Sequence, residues 1–383
     1  MTNADSHAPI RSWASERLAA VIRQSLDQLA RSDDVCHVAV MPDIHCGPGV
    51  CVGTAFATSQ LLYPAAIGGD IGCGMAAVAL DAFRADLPSE GAQQLHHAIR
   101  RVVPIQRQRA EAAEALARRV PPPTELSLPA LQSLAAAEGA HQIGTLGTGN
   151  HFLELQYDDE GGRLWLMVHS GSRGLGQAIK AAHIKSADRK RSGLKHLDAR
   201  TPAGTAYLHD MNWARRLAAE SRKAMLQAVG AAANELFGWR LLDETLFDCD
   251  HNHISHEEHF GKMLFIHRKG AMAAWPDEHG IVPGSMATAS FHVTGRGVPD
   301  ALCSAAHGAG RAMSRTEARK RINRQRLLRE LRDVYVDPRS VGGLREEAPS
   351  AYKDIHSVMK AQRKLVRVQR TLRPILTHKG GAK

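Results

Sequence analysis

Histidines, joined by a few cysteines and aspartates, recur beside glycine at short intervals along this chain. The clusters are Asp43-Ile44-His45-Cys46, Asp70-Ile71-Gly72-Cys73, Gly149-Asn150-His151, Val168-His169-Ser170-Gly171-Ser172-Arg173, Asp250-His251-Asn252-His253, His267-Arg268-Lys269-Gly270 and Ala306-His307-Gly308-Ala309-Gly310-Arg311. Imidazole, thiolate and carboxylate are the side chains that hold a transition metal. Glycine lets backbone N–H groups approach an anion. The combination points to metal-assisted chemistry on a phosphate.

Each cluster taken singly also has a plainer reading. Asp70 and Cys73 can converge on one ion, or the sulfur can bridge two; they read equally as a turn residue and a core thiol. The loop Gly144-Thr145-Leu146-Gly147-Thr148-Gly149-Asn150-His151 is neither a Walker A loop nor a dinucleotide fingerprint. It delivers Asn150 and His151 to the start of a strand, whose alternation puts Glu154 on the face opposite His151. His169 closes an apolar run, and Arg173 behind it offers a planar fork to phosphate oxygens. In Asp250-His251-Asn252-His253 one or both histidines are candidate ligands, and a polar turn is the alternative. No spacing matches a zinc finger or a His-Glu-x-x-His helix, so a metal site here is assembled from distant segments. His307 is expected directly before a helix starting near Ala312. A helix N-terminus favours phosphate and disfavours a protonated imidazole, which leaves a neutral ring suited to attack phosphorus. A capping histidine is the plain alternative.

These residues need a scaffold. The chain has 383 residues, 44% of them hydrophobic, enough for one large domain or two moderate ones. No stretch has the length and apolarity of a membrane span, and the first residues do not read as a secretory signal, so a cytoplasmic protein is expected. The six cysteines, at 36, 46, 51, 73, 249 and 303, form no Cys-x-x-Cys pair and are expected to be mostly buried small hydrophobes, with Cys73 set apart by Asp70 three residues before it in a glycine-rich stretch. The net charge is +10, which favours a polyanionic partner. Much of it falls in residues 315–332 and 360–373. Both read as helices, either facing a polyanion or merely solvated. With 5% aromatic residues, phosphate contact is expected rather than base stacking.

Periodicity predicts helices over residues 14–31, 88–102, 106–120, 128–138, 204–235, 312–332 and 351–369. Strands are expected over 35–41, 49–58, 71–80, 152–157, 164–168, 243–248 and 262–267. Residues 280–297 read as glycine loops and 337–350 as a polar loop. No regular βαβ rhythm or internal repeat appears. Two or more sheets wrapped by helices are expected.

Together the motifs resemble those of the RtcB family of RNA ligases. The resemblance runs through MPDIHCGPGVCVG, GGDIGCGM, GTLGTGNHFLEL, VHSGSRGLG, DHN, HRKGA, PGSM, HGAGR, AYKDI and a terminal HKG, over nearly the whole chain. It implies an α/β fold, a mixture of helices and strands with central sheets around a metal cleft. It implies one catalytic domain over residues 1–383, with a basic helical portion over about 311–383. Members of the family join an RNA 3′-phosphate or 2′,3′-cyclic phosphate to a 5′-hydroxyl end, in RNA repair or tRNA splicing, with GTP and two Mn²⁺ ions. Carried over by motif, the metal ligands are Asp70, Cys73, His151, His169 and His251, with Cys73 bridging. The guanylylated residue is His307. The nucleotide pocket is Asn150, Glu154, Asn252, Pro283, Gly284, Ser285, His307, Gly308, Gly310, Arg311, Tyr352 and Lys379. Asp43 is expected near the metals. A thiolate among imidazoles also suits Zn²⁺ or Co²⁺. Several members are longer and work with an activating protein, archease; whether this chain needs one stays open, and residues 185–205 and 337–350 match no motif. Two other functions use the same residues: a metal-dependent RNA-end phosphohydrolase or cyclic phosphodiesterase, and a non-catalytic RNA-binding protein. His307, Tyr352 and Lys379 argue against the first, and the full ligand set against the second.

Overall fold

The computed structural model describes residues 7–189 and 194–380. Seven strands make the larger sheet, in the order Leu241–Asp250, Gly74–Phe83, Arg163–Ser170, Phe152–Asp158, Val366–Lys379, Ser290–Gly295 and His279–Val282. Every neighbouring pair is antiparallel. Strand direction therefore alternates across the sheet. One end collects Asp250, Gly74, Ser170, Phe152, Lys379, Ser290 and Val282, and the residues just outside these termini are those of the predicted site.

The strands are apolar on both faces, which explains why Gly74–Phe83 is buried along nearly its whole length. One face packs on the helix Pro202–Phe237 through Met225, Leu226, Val229 and Ala233, and on Gly91–Val102 through Leu95 and Ile99. Each of these larger side chains contributes about 1.5–3 kcal/mol on burial, and Ala233 less. On the other face Met75, Ala77, Trp165, Met167 and Leu372 cluster. There the sheet curls until its two edge strands approach, with the rings of Phe247 and His279 5.7 Å apart. The long helix has ends legible in its sequence. Thr201 accepts a hydrogen bond from the Gly204 N–H, Pro202 takes the first turn, and Gly238 ends it in the left-handed region.

A five-stranded sheet, ordered Ile10–Ser12, Val35–His45, Val52–Thr58, Lys262–Lys269 and Asn252–His259, lies beside it. The chain leaves the edge strand of the large sheet at Asp250 and enters the edge strand of the smaller one at Asn252. His251 is the single residue between them.

The mixed helices and sheets agree with the expected α/β class. Several expected elements are corrected. Residues 360–373 are not a helix: Ile355–Ala361 is helical, and Val366–Lys379 is a strand. Val366, Leu372 and Leu376 are buried between two partner strands, and sheet pairing overrides the helical reading of the basic residues around them. The basic portion over 311–383 is thus only partly helical, and residues 381–383 lie outside the described residues. The expected helix over 312–332 is two short ones, Arg315–Arg321 capped by Ser314 and Arg324–Glu330 capped by Asn323. Cap residues inside the window broke it. The loops of 280–297 contain His279–Val282 and Ser290–Gly295. Past His169 the chain enters an unforeseen helix, Arg173–Lys185. Of the six cysteines, Cys51, Cys73 and Cys303 are buried, while Cys36 and Cys46 are exposed. Residues 190–193, within the motif-free stretch, lie outside the described residues. No helix among those described is long and apolar enough to cross a membrane.

Candidate metal and nucleotide site

Cys73, His151 and His169 flank three adjacent strands of the large sheet, and His251 follows the fourth. The Cys73 sulfur lies 3.4 Å from His151 Nε2 and 3.2 Å from His169 Nε2. His169 Nε2 is 3.4 Å from His251 Nε2, and His151 Nε2 is 2.9 Å from an Asp70 oxygen. The donors form two triads, Asp70–Cys73–His151 and Cys73–His169–His251, which share the sulfur.

Backbone carbonyls set the ring orientations. His151 Nδ1 stands 2.9 Å from the Leu146 carbonyl and His169 Nδ1 3.3 Å from that of Asn150. Donation from Nδ1–H leaves the Nε2 lone pairs aimed at the sulfur, the tautomer a metal requires. Burial lowers the pKa of His169 and His251, so both rings are neutral. Burial would raise the Asp70 carboxyl, but His151 beside it brings it down to about 2. Burial, and then Asp70, raise the Cys73 thiol. A buried thiol among neutral lone-pair donors is a poor place for a bare thiolate and a good one for a cation-bound thiolate. The residues fit a divalent metal.

The turns carrying these ligands are held from behind. Arg222, buried on the long helix, donates to the carbonyls of Gly72 and Ser170, next to Cys73 and His169, and forks onto Asp248. Gly147 has positive φ, and a Cβ there would lie 2.0 Å from Arg173 Nη1 and 2.6 Å from His151 Nδ1. Arg173 faces His151 Nδ1 at 3.4 Å and backs the ligands, outside the cavity lining.

A cavity of about 280 Å³ opens against the metal ligands. It is lined by Asp70, Cys73, His169 and His251, and by every expected nucleotide residue: Asn150, Glu154, Asn252, Pro283, Gly284, Ser285, His307, Gly308, Gly310, Arg311, Tyr352 and Lys379. His151 alone of the expected set stands behind the wall. Glu154 faces the cavity from the side of the strand opposite His151, as the alternation predicts. Its oxygens accept from Thr377 at 2.9 Å and Gln156 at 2.7 Å, and burial pushes its carboxyl up to about 7. Asn252 ties two turns together, donating to the Asp70 carbonyl and accepting from the Gly270 N–H.

His307 follows the short strand Ser304–Ala306. Its ring centre is 4.6 Å from that of His251, so it abuts the metal ligands. The expectation of a helix N-terminus beside it is corrected: the next helix begins at Arg315. Its support is Asp43. The Asp43 carboxylate is fully buried, one oxygen lies at ion-pair distance, 2.8 Å, from His307 Nδ1, and neither oxygen accepts a hydrogen bond among the described residues. Lys353 donates to the carbonyls of Pro42 and Ile44, which bracket Asp43. Gly310, at positive φ, lies so close to the Asp43 carbonyl that a Cβ would meet it at 2.2 Å.

Sequence reasoning missed Glu347. This buried carboxylate accepts from Lys379 at 3.2 Å, from Arg311 at 3.1 Å and from the Tyr352 hydroxyl, with Arg315 at 3.4 Å. It gathers three cations and a phenol along one wall. Nothing in the loop of residues 337–350 marked it. Lys269, Phe152, Met286 and His45 also line the cavity; burial lowers Lys269 to about 8 and His45 to about 4. Two cluster histidines stand apart. His267 stacks on Phe56 and accepts the Tyr63 N–H within the core, and His253 sits 2.9 Å from Asp250 outside the cavity.

Comparison with known proteins agrees with this arrangement. The family model for the tRNA-splicing ligase RtcB matches residues 25–380. The chain belongs to the RtcB family. It is 36% identical to the RNA-splicing ligase RtcB of Escherichia coli K12, over 98% of each chain. It is 33% identical to the tRNA-splicing ligase RtcB of Thermococcus kodakarensis over 60% of this chain and 57% of that protein. With the Pyrococcus furiosus tRNA-splicing ligase RtcB the figures are 32%, 66% and 31%. An RtcB-type fold and an RNA ligase acting on RNA follow from this membership.

Proposed function

We propose that this RtcB family member joins RNA ends carrying a 3′-phosphate or 2′,3′-cyclic phosphate to 5′-hydroxyl ends, with GTP as co-substrate and two Mn²⁺ ions. It acts as one catalytic unit over residues 1–383, in the cytoplasm. The observation that supports this best is that His307 lines one cavity with Asp70, Cys73, His169 and His251, which together with His151 behind its wall form two donor triads joined at Cys73.

Asp70, Cys73 and His151 would hold one ion, and Cys73, His169 and His251 the other. Bound there, the ions supply Lewis-acid polarisation of phosphate oxygens. The chain's own residues do the rest. Glu154, as a carboxylate, accepts the guanine N–H groups, which adenine cannot offer in that pattern. Arg311, Lys379 and Tyr352 face the phosphates and ribose, held in place by Glu347. Asp43 takes the Nδ1–H of His307, fixes the tautomer and leaves the Nε2 lone pair free. His307 Nε2 attacks the α-phosphorus; an N–P bond forms, the bond to pyrophosphate breaks, and pyrophosphate departs with its electron pair. A 2′,3′-cyclic end is first opened by water, whose oxygen joins phosphorus as the P–O2′ bond breaks and O2′ takes the proton; the resulting 3′-phosphate oxygen then displaces His307 from phosphorus and carries GMP. The 5′-hydroxyl attacks the activated end, loses its proton and expels GMP.

A ligation assay with synthetic RNA ends tests the reading. Joining should require GTP rather than ATP and be greatest with Mn²⁺ among Mn²⁺, Mg²⁺ and Zn²⁺. Release of phosphate without joining would indicate the phosphohydrolase instead.

A further inference from the structure

We infer that the RNA strand leaves the joining centre along a groove continuous with the first cavity, where Arg17, Lys360, Arg363 and Lys364 hold its phosphodiester backbone. This rests on the reading of that cavity as the joining centre.

The continuity is geometric. A second cavity, of about 640 Å³, shares His45, Arg311 and Tyr352 with the first. A third, of about 490 Å³, shares Ser15, Glu16 and Ser357 with the second. The track runs from the His307 cavity, past the segment around Arg17, to the helix Ile355–Ala361 and the turn after it.

Charge distinguishes this track from the other basic surfaces. Arg17, Lys360, Arg363 and Lys364 are exposed, and none forms an ion pair among the described residues. Much of the other basic charge is already matched. Arg319 pairs with Glu346, Arg321 with Glu317, Arg326 with Glu330, and Arg332 with Asp333. Arg370 and Arg373 pair with Asp158 and Asp159. The two acidic residues of the track are Glu16 and Asp354. Asp354 is occupied with the helix N-terminus, accepting from the N–H groups of His356 and Ser357. Unmatched cations in a groove attract a polyanion and release its counterions. Tyr352 is the one aromatic side chain lining the track, so the contacts are to phosphate rather than to stacked bases. Such a groove accepts any sequence, which suits an enzyme that reads ends.

The test compares two triple variants of equal charge change. Lys360→Ala/Arg363→Ala/Lys364→Ala strips the groove, while Lys320→Ala/Arg324→Ala/Arg329→Ala strips exposed cations outside it. Affinity for a single-stranded oligoribonucleotide of about 12 nucleotides is measured against salt, with thermal melting as the folding check. The groove variant should bind about tenfold or more weakly, and its salt slope should fall by about 2. The other variant should keep affinity and slope close to the unaltered protein. Unchanged binding by a folded groove variant, or equal loss in both, overturns the inference. Labelling of the unaltered protein with α-labelled GTP, without RNA, reads the first cavity separately. No label would count against the joining-centre reading whatever the RNA affinities.

Discussion

The carboxylate of Asp43 stands 2.8 Å from Nδ1 of His307, fully buried and accepting no hydrogen bond among the described residues. Its closest imidazole contact is with His307, and its charge also reaches His45. Asp43→Asn should leave metal content unchanged, since Asp43 is in neither donor triad, yet slow GMP transfer to His307 by about 10²–10⁴-fold. Rapid-quench labelling with α-labelled GTP measures this. An unaltered rate would mean that Asp43 merely fills space.

Cys73 is common to both donor triads. Mass spectrometry of the loaded protein should find two Mn²⁺ per chain. Cys73→Ala should lose both and all ligation. His251→Ala should keep the ion of Asp70, Cys73 and His151. Equal loss in the two variants would contradict the division into two sites.

Glu154 carries a pH dependence with a defined sign. Its carboxyl is raised from 4.5 to about 7 by burial. Below about pH 4.5 it is protonated folded or unfolded, and its stabilising contribution is complete. As the pH rises through 7, folding opposes ionisation and about 3 kcal/mol is lost. Glu154→Gln should flatten that loss in denaturation profiles. It should also weaken the preference for GTP over ATP by about 10–100-fold. A variant with the parent's pH profile and preference would exclude Glu154 as the guanine contact.

Glu347 balances the buried Lys379 and the largely buried Arg311, with the half-exposed Arg315 beside it. Glu347→Ala leaves Lys379 and Arg311 unmatched and should cost about 3–5 kcal/mol in denaturant unfolding. Glu347→Gln, which keeps hydrogen-bond acceptance, should cost less. A loss under about 1 kcal/mol for the alanine variant would show that the cations find other partners.

The ligand set was legible because Asp70, Cys73, His151 and His169 sit in glycine-rich turns beside strands, where chemistry and turn signals coincide, and His251 sits in a polar Asp-His-Asn turn. Five ligands, His307 and eleven further pocket residues were expected from sequence, and sixteen of those seventeen positions line one cavity; His151 lies behind it. Supporting residues were not legible. Arg222 is one arginine on a long amphipathic helix, and its bonds to the Gly72 and Ser170 carbonyls depend on packing between distant segments. Glu347 lies in a loop whose polar composition reads as solvated. His307 was expected to draw on a helix dipole and draws on Asp43 instead, because Ser314 delays the helix to Arg315. The first part of the strand Val366–Lys379, up to residue 373, reads as a helix from sequence because its basic residues mask the buried Val366 and Leu372. Strand order also escapes a local reading, and it is what places every ligand at one sheet end.

Covalent transfer of GMP to His307 is the central claim, and one experiment isolates it. The protein is incubated with α-labelled GTP and Mn²⁺, without RNA, and the protein-bound label is mapped by peptide mass spectrometry. The account predicts an acid-labile phosphorus–nitrogen adduct on the peptide carrying His307, absent from folded, metal-loaded His307→Ala. Label retained by that variant, or its full ligation of an unactivated 3′-phosphate, would contradict the account.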